Sequence, residues 1–542
     1  MERLSCDVLV IGTGAAGLRA AAAAGRRGLK VCVLSKGKPG KASCTGFSGG
    51  VMAGTPEGSS SETHFERTLM AGRGLNDVEL VSVLVEEAPL RLRELMEWGM
   101  KGVFQEGYLY ALGRPPVWGE EIIRCLLRMN MALGTEFLGE MAVCDMTICE
   151  GAAAVAACGA KRGRFLGISS GAVVLATGGA GALFLRHDNP RGILGEGYVL
   201  ALEAGAVLQD MEFVQFYPLG LSEPGLPPFL IPPRLADCGK LLNGRGEDIM
   251  EKYGVTERPA AERARDQLSR ALFTEIHRNG EAVWLDLRGL SEEEWRIDPF
   301  SASTVKLLGE RYGASCRPVR VAPMAHHVMG GVKIDPRGAT SVPGLFAAGE
   351  VTGGLHGANR MGGNALAETL VFGARAGEAA ANWVEGKALK NCDGVSEKLH
   401  KTFRKSCDDS RGGSTDERLR KLQQIMWEDG GILRNEEGLG RALSAVDEME
   451  RSAGAPATAH ADGAGVGSIR LRSALRAARL VLEGARKRCE SRGAHFREDF
   501  PTQDDLTWRG HLQVHLDPQG EIHWHFVPVP WEGASPGTLS NG

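Results

Sequence analysis

No Cys-x-x-C pair occurs in this chain. Its 12 cysteines stand singly, and Cys144 and Cys149 are the nearest two. That pattern argues against an iron–sulfur cluster or a structural zinc held here by paired thiolates. Scattered single cysteines fit a reducing, cytoplasmic setting. No run reaches ~20 apolar residues without a charge or a glycine, so no membrane span is expected. A net charge of −4 offers nucleic acid no electrostatic foothold. The first apolar run begins at Cys6, which leaves no room for a signal peptide. The 542 residues, 43% hydrophobic and 24% charged, are enough for three or more globular domains with a large core.

Glycine is abundant instead, and its 74 residues are gathered into motifs. Cys6 to Ile11 reads as a strand buried on both faces. Gly12, Gly14 and Gly17 follow as G-x-G-x-x-G, and an Ala-rich helix through Ala15 and Ala16 leads to a second strand at Lys30 to Leu34. Strand, turn, helix and strand arrive in the order of a dinucleotide fingerprint. Gly12 makes the tight turn, Gly14 lets backbone N–H groups reach a pyrophosphate, and Gly17 lets helix and strand pack closely. The acidic residue that usually ends the second strand is missing. Ser35 and Lys36 stand there, and a hydroxyl still bonds a ribose.

A second glycine-rich loop, KASCTGFSGGVMAG, runs from Lys41 to Gly54. Ala172 to Thr177 is another buried strand ending in Gly178–Gly179, a second crossing beside the dinucleotide. Gly195-Glu196-Gly197 opens a helix at its N-terminus, a favourable place for bound oxygens. A third glycine-dense stretch, Val321 to Gly373, holds His326, Glu350, His356, Asn359, Arg360 and Asn364. Arg360 sets a guanidinium among glycines, suited to an anion.

Between these motifs the pattern changes. A helix is expected from about Val78 to Trp98, kinked or broken at Pro89, and one near Ala260 to Arg278. Residues 221–323 lack the glycine motifs and read as an inserted lid between two parts of one nucleotide fold, 1–220 and 324–385. Residues 386–500 read as a helical domain, with helices near Ser396–Arg404, Asp416–Glu428, Glu436–Arg451 and Ser468–Arg488. Residues 489–505 are polar and irregular. The tail, 501–542, carries a hairpin around Asp517–Gly520. Pairing Asp517 with Gly520 sets His511 and His515 on one face and His523 and His525 on the other, so no metal site is expected.

Taken together, the fingerprint, ATGGAG, DMEFVQFYPLG, RDQLSRA, AHHVMGG, PGLFAAGE, HGANRMGGNAL and ESRGAHFRED resemble the flavoprotein family of succinate dehydrogenase, fumarate reductase and L-aspartate oxidase. The resemblance covers nearly the whole chain. It implies an α/β fold: a Rossmann-like FAD domain, an inserted α+β capping domain and a C-terminal helical domain. It also implies that the fingerprint with Ser35 and Lys36 holds the ADP half of FAD. Ser43, Ser48, Gly49 and Gly50 of the second loop, with Thr177, Gly178, Gly179 and Glu196, complete the cofactor set. Glu350 is expected on a ribityl or ribose hydroxyl, and Asn364, Ala365 and Leu366 near the flavin ring. Arg265, first in RDQLSRA, is the implied proton shuttle. His326 and Arg360 grip a substrate carboxylate. The implied reaction moves hydride between flavin N5 and a small carboxylic acid.

This chain departs from the family's dicarboxylate members at two places. They carry H-P-T-G where Tyr217-Pro218-Leu219-Gly220 stands, and T-E-x-x-R-G-E-G where Ile231 to Lys240 stands. The groups for a second carboxylate are therefore absent or replaced, so fumarate and succinate are only default substrates. The second loop offers no His for flavin attachment, which implies non-covalent FAD. With no cluster or haem motif in the chain, an iron–sulfur subunit is the implied electron partner. The alternatives are an L-aspartate-oxidase-like oxidation to an imine and a non-catalytic electron-relay subunit.

Overall fold

The computed structural model describes residues 2–54, 60–149, 151–159, 164–390, 392, 394, 414–453 and 464–530. Its central layer is a seven-stranded sheet. Glu2–Ile11 lies between Val31–Leu34 and Phe165–Leu175, parallel to both. Val31–Leu34 and the C-terminal halves of the other two strands, Val8 to Ile11 and Ala172 to Leu175, are unbroken apolar runs, as burial on both faces requires. Glu136–Leu138 extends one edge in parallel. Ala152–Gly159 and Met141–Cys149 extend the other as an antiparallel meander. Leu345–Ala347 returns from much later in the chain to pair in parallel with Val173 to Leu175.

Two helices cover this sheet. Ala15–Gly25 follows the first strand, and Asn364–Val384 packs along it. Gly377 makes that approach possible, because a Cβ there would lie 2.2 Å from the Ala20 carbonyl oxygen. Val78–Glu97 is one continuous helix with Pro89 inside it, so the expected break does not occur. The expected helix near Ala260 to Arg278 is two pieces, Ala260–Arg263 and Arg265–His277, divided at Ala264.

Residues 214–328 contribute a second, antiparallel sheet in the order Val214–Leu221, Val319–Val328, Val283–Asp286, Lys240–Asn243. It has its own apolar cluster around Leu219, Leu241, Leu268, Leu285 and Val321. Its first strand enters the sheet directly from the dinucleotide half, so one sheet edge faces the cofactor side.

The helices Thr415–Glu428, Glu436–Ala453 and Ala464–Lys487 pack together and against the main core. The expected helix at Ser396–Arg404 falls outside the described residues. The final hairpin, Gly510–Leu516 with Ile522–Pro528, adds to a five-stranded sheet through Leu208–Gln209. Its register differs from expectation by one residue: Asp517 faces Glu521, and His515 pairs directly with His523. His511, His515, His523 and His525 therefore share one face. Three of them hold protein partners: His511 meets Asp210 at 2.5 Å, His523 meets Asp517 at 2.9 Å, and His525 meets Gln513 at 3.1 Å.

Candidate active site

One cavity of about 750 Å³ runs from the first glycine turn to the second sheet. Its dinucleotide end is built by the fingerprint. Gly12 has φ +121°, and a Cβ there would meet the Ala176 oxygen at 2.0 Å. Gly17 does not line the cavity; its missing Cβ lets the helix sit on the Gly12 carbonyl. The helix Ala15–Gly25 has no cap from Gly14; Ala15 N donates to Thr45 Oγ1 at 3.2 Å, and the positive end of the helix dipole lies at the cavity. Gly14, Ala15 and Ala16 all line it.

Around this end lie Ser35, Lys36, Ser43, Ser48, Gly49, Gly50, Thr177, Gly178 and Glu196. Several side chains hold the walls. Ser35 Oγ donates to the Gly37 oxygen, Ser43 Oγ accepts from Gly46 N, and Ser48 Oγ donates to the Thr45 oxygen. Lys36 pairs with Glu196 at 2.6 Å. Thr177 Oγ1 is buried with no hydrogen-bond partner among the described residues. An orphan hydroxyl in a cavity that a glycine-turn helix N-terminus opens onto fits a bound dinucleotide. Gly179 lies behind the wall, where a Cβ would stand 2.3 Å from Glu350 Oε1. Glu350 lines the cavity, and burial raises its carboxyl to about 7. Ala365 and Leu366 line the cavity as well. Asn364 does not, since its amide bridges His64 at 2.7 Å and Thr68 at 2.9 Å.

The other end gathers Arg265, His326 and Arg360, which lie far apart in sequence. Three elements do this. Arg265 is the first residue of its helix, which Ser269 ties to the Phe216 oxygen at 2.9 Å. His326 sits on a β-bulge: Gln215 pairs with His327 and Phe216 with Ala325, so His326 is the extra residue. A bulge re-aims a side chain, and here it aims one at the cavity. Arg360 lies in the turn before Asn364–Val384, its backbone N–H held by Asn359 Oδ1 at 2.9 Å. Gln215 accepts from Arg360 Nη2 at 2.9 Å and donates to Asn359 at 2.7 Å, and so fixes the guanidinium.

Arg360 is 7% exposed, and no carboxylate of the described residues lies within ion-pair distance of it. Its Nε has no partner among them either. Burial and the nearby Arg265 pull its guanidinium down to about 9. The site therefore favours a bound anion. Arg265 Nη1 reaches the Arg360 oxygen at 3.5 Å, and its guanidinium lies 5.7 Å from the Tyr217 ring centre.

His326 Nδ1 lies 2.7 Å from Asp188 Oδ2. Burial holds this His below its ordinary value, with Asp188 opposing the shift. Asp188 is a site residue that the sequence reading missed. The short bridge of His187 with Ala325 sets it beside His326, a contact between segments 138 residues apart with no local signal. Gln215 was missed for the same reason. Nearby, ligand atoms of His327, His356 and Glu368 gather within 4.8 Å. Glu368 is engaged there by His356 at 3.0 Å and by Thr352 Oγ1 at 3.1 Å.

A dinucleotide sheet, a fingerprint turn and a buried cationic end define a dinucleotide-binding protein with an anion site. Residues 7–366 match the FAD binding domain family, and residues 419–537 match the family described as fumarate reductase flavoprotein C-term. The chain belongs to the flavoprotein family of fumarate reductases, succinate dehydrogenases and L-aspartate oxidases, and its cofactor is FAD. It is 35% identical to one chain of the CoM/CoB fumarate reductase of Methanothermobacter marburgensis, covering 92% of this chain and 95% of that one. It is 32% identical to the L-aspartate oxidase of Streptomyces coelicolor, covering 97% and 94%. The Escherichia coli quinol fumarate reductase flavoprotein superposes with a TM-score of 0.87 at 28% identity, over 99% of both chains. Among the described residues, no helix is long and apolar enough to cross a membrane.

Proposed function

We propose that the protein moves two electrons between its flavin and the carbon–carbon bond next to a carboxylate, reducing an enoate or running the reverse. The observation that carries this reading is the buried Arg360, which has no carboxylate partner among the described residues, with Arg265 and His326 beside it. FAD supplies or accepts hydride at N5. Arg360 and His326 hold the acid and stabilise charge that spreads into it. Arg265 carries the proton at the neighbouring carbon. Residues 221–323 would cover the acid as a lid on the cofactor parts 1–220 and 324–385.

FAD is held without a covalent bond in this reading, supported by the absence of His in the Lys41 to Gly54 loop. Electrons reach it through an iron–sulfur subunit on the cytoplasmic side. The absence of Cys-x-x-C from this chain and the relationship to the quinol fumarate reductase flavoprotein support that assignment.

The test uses holoenzyme reduced without oxygen and mixed with enoates while flavin absorbance is followed. Reoxidation is expected, and Arg265→Met should slow it about 10²–10⁴-fold with FAD content unchanged. Equal rates in the variant would favour an electron-relay subunit. Oxidation of L-aspartate with no reaction of any enoate would favour the oxidase.

A further inference from the structure

The acid end of the cavity is cationic on one side only. Tyr217 spans the two sides. Its ring lies 5.4 Å from that of His326, and its hydroxyl donates to the Ile231 oxygen at 2.8 Å. Beyond that hydroxyl the wall is Leu230, Pro232 and Pro233. The segment is stitched to the sheet, with Ile231 N donating to the Leu219 oxygen at 2.9 Å. Two consecutive prolines have no N–H to offer an anion. Leu230 packs on Tyr110, Trp118 and Phe300. The Phe300 ring rests on the second glycine loop, where a Cβ on Gly49 would lie 2.8 Å from it. The wall is thus apolar from Tyr217 to the flavin loop.

Its charged groups do not suit a second carboxylate. Arg234 is paired with Glu106 at 3.2 Å, and Arg263 is exposed to solvent. The buried charge is negative: Asp298, 7% exposed, accepts from Ser301 N at 2.9 Å and Ser301 Oγ at 2.6 Å. A dicarboxylate turned with one end to Arg360 would bring its other end to prolines, a phenylalanine and a carboxylate. Burying an ion there is strongly unfavourable.

Resting on the reading above, we infer that the substrate is a monocarboxylic enoate, or its saturated acid, with an apolar substituent on the β-carbon. The substituent lies against Leu230, Pro232 and Phe300. The step balances with one activating carboxylate. Hydride from reduced flavin adds to the β-carbon. The electron pair of the double bond moves to the α-carbon and into the carboxylate held by Arg360. The α-carbon takes a proton from Arg265, giving the saturated acid and oxidised flavin.

The test compares crotonate, cinnamate and fumarate as oxidants of the reduced holoenzyme. In parallel, butyrate, 3-phenylpropanoate and succinate are titrated into the oxidised holoenzyme, with flavin absorbance reporting binding. The monocarboxylic enoates should reoxidise the flavin at least about 100-fold faster than fumarate, and their saturated acids should bind more tightly than succinate. Leu230→Arg should narrow the rate ratio at least about tenfold. Fumarate reacting as fast as the monoacids, or succinate binding as tightly, overturns this inference and leaves enoate reduction standing. Reoxidation by none of the three enoates overturns the proposed reaction itself.

Discussion

Two groups of arginines are buried in this molecule, and they are built oppositely. In the C-terminal region Arg488 is fully buried against Glu212 at 2.6 Å, Glu490 at 3.1 Å and Asp210 at 3.6 Å. Burial alone would lower it, but these carboxylates raise it above its ordinary value. Arg492 meets Glu490 and Asp505, both at 2.7 Å, and Arg497 meets Asp499 at 2.7 Å. Arg360 is nearly as buried, yet its partners are an amide and a backbone carbonyl, and it is lowered. The first group is complete without a ligand and holds segments together. Arg360 is stabilised by whatever anion enters. Arg434 is lowered as well, to about 10, yet it is held by backbone carbonyls and His495 away from the cavity, so it is Arg360's place in the cavity wall that marks it as a binding group.

Breaking the first group should cost most. Arg488→Met leaves Glu212 buried without its cation, while Glu490 keeps Arg492, and about 3–5 kcal/mol of unfolding free energy should be lost, read by denaturant titration. Arg360→Met makes the opposite trade. Reoxidation by an enoate should fall about 10²–10³-fold, while the melting temperature holds or rises because an uncompensated charge is gone. A matched loss of stability in both variants would erase the distinction.

The smallest effect sharpens the picture at His326. With Nδ1 against Asp188, the imidazole donates from Nε2 to a carboxylate only if the His–Asp pair holds one more proton than it does with a neutral ring and an ionised acid. Burial keeps that proton off in the free site. Acid binding should therefore take up a proton. From about pH 6.5 to about pH 8.5 the dissociation constant of a saturated acid should rise by up to about tenfold per unit. His326→Gln should flatten that slope. A flat profile in the unaltered protein would mean that Arg360 binds the acid without His326.

What the sequence made legible follows sequence distance. Gly12, Gly14 and Gly17 act within one strand–turn–helix unit, so their spacing alone announces the turn, the exposed helix end and the close packing. His326 and Arg360 stood out as polar groups in a glycine-dense stretch suited to an anion, but Arg265 and the role of each needed the family resemblance, because a helix start, a β-bulge and a turn from separate segments bring them together. Asp188 and Gln215 had no local pattern, and their roles depend on strands aligned across more than 100 residues. The run Cys489 to Asp505 reads only as polar and irregular, yet Arg492, His495 and Arg497 within it are buried. Its own acidic residues and nearby carbonyls supply their partners. The hairpin register failed by one residue because the loop places Gly520 inside the turn and not opposite Asp517.

The last hairpin also has a consequence in time. Leu208–Gln209 pairs on one side with Gly331–Lys333 and on the other with Gly510–Leu516. Asp210 receives Leu512 N through its side chain and meets His511. A growing chain can assemble its first strands and glycine turn once Leu175 is made, but the edge at Gln209 stays open until Gly510–Leu516 is synthesised. Contacts separated this widely close late and slowly. The sheet beside the cofactor half is thus sealed only by a segment 301 residues further along the chain.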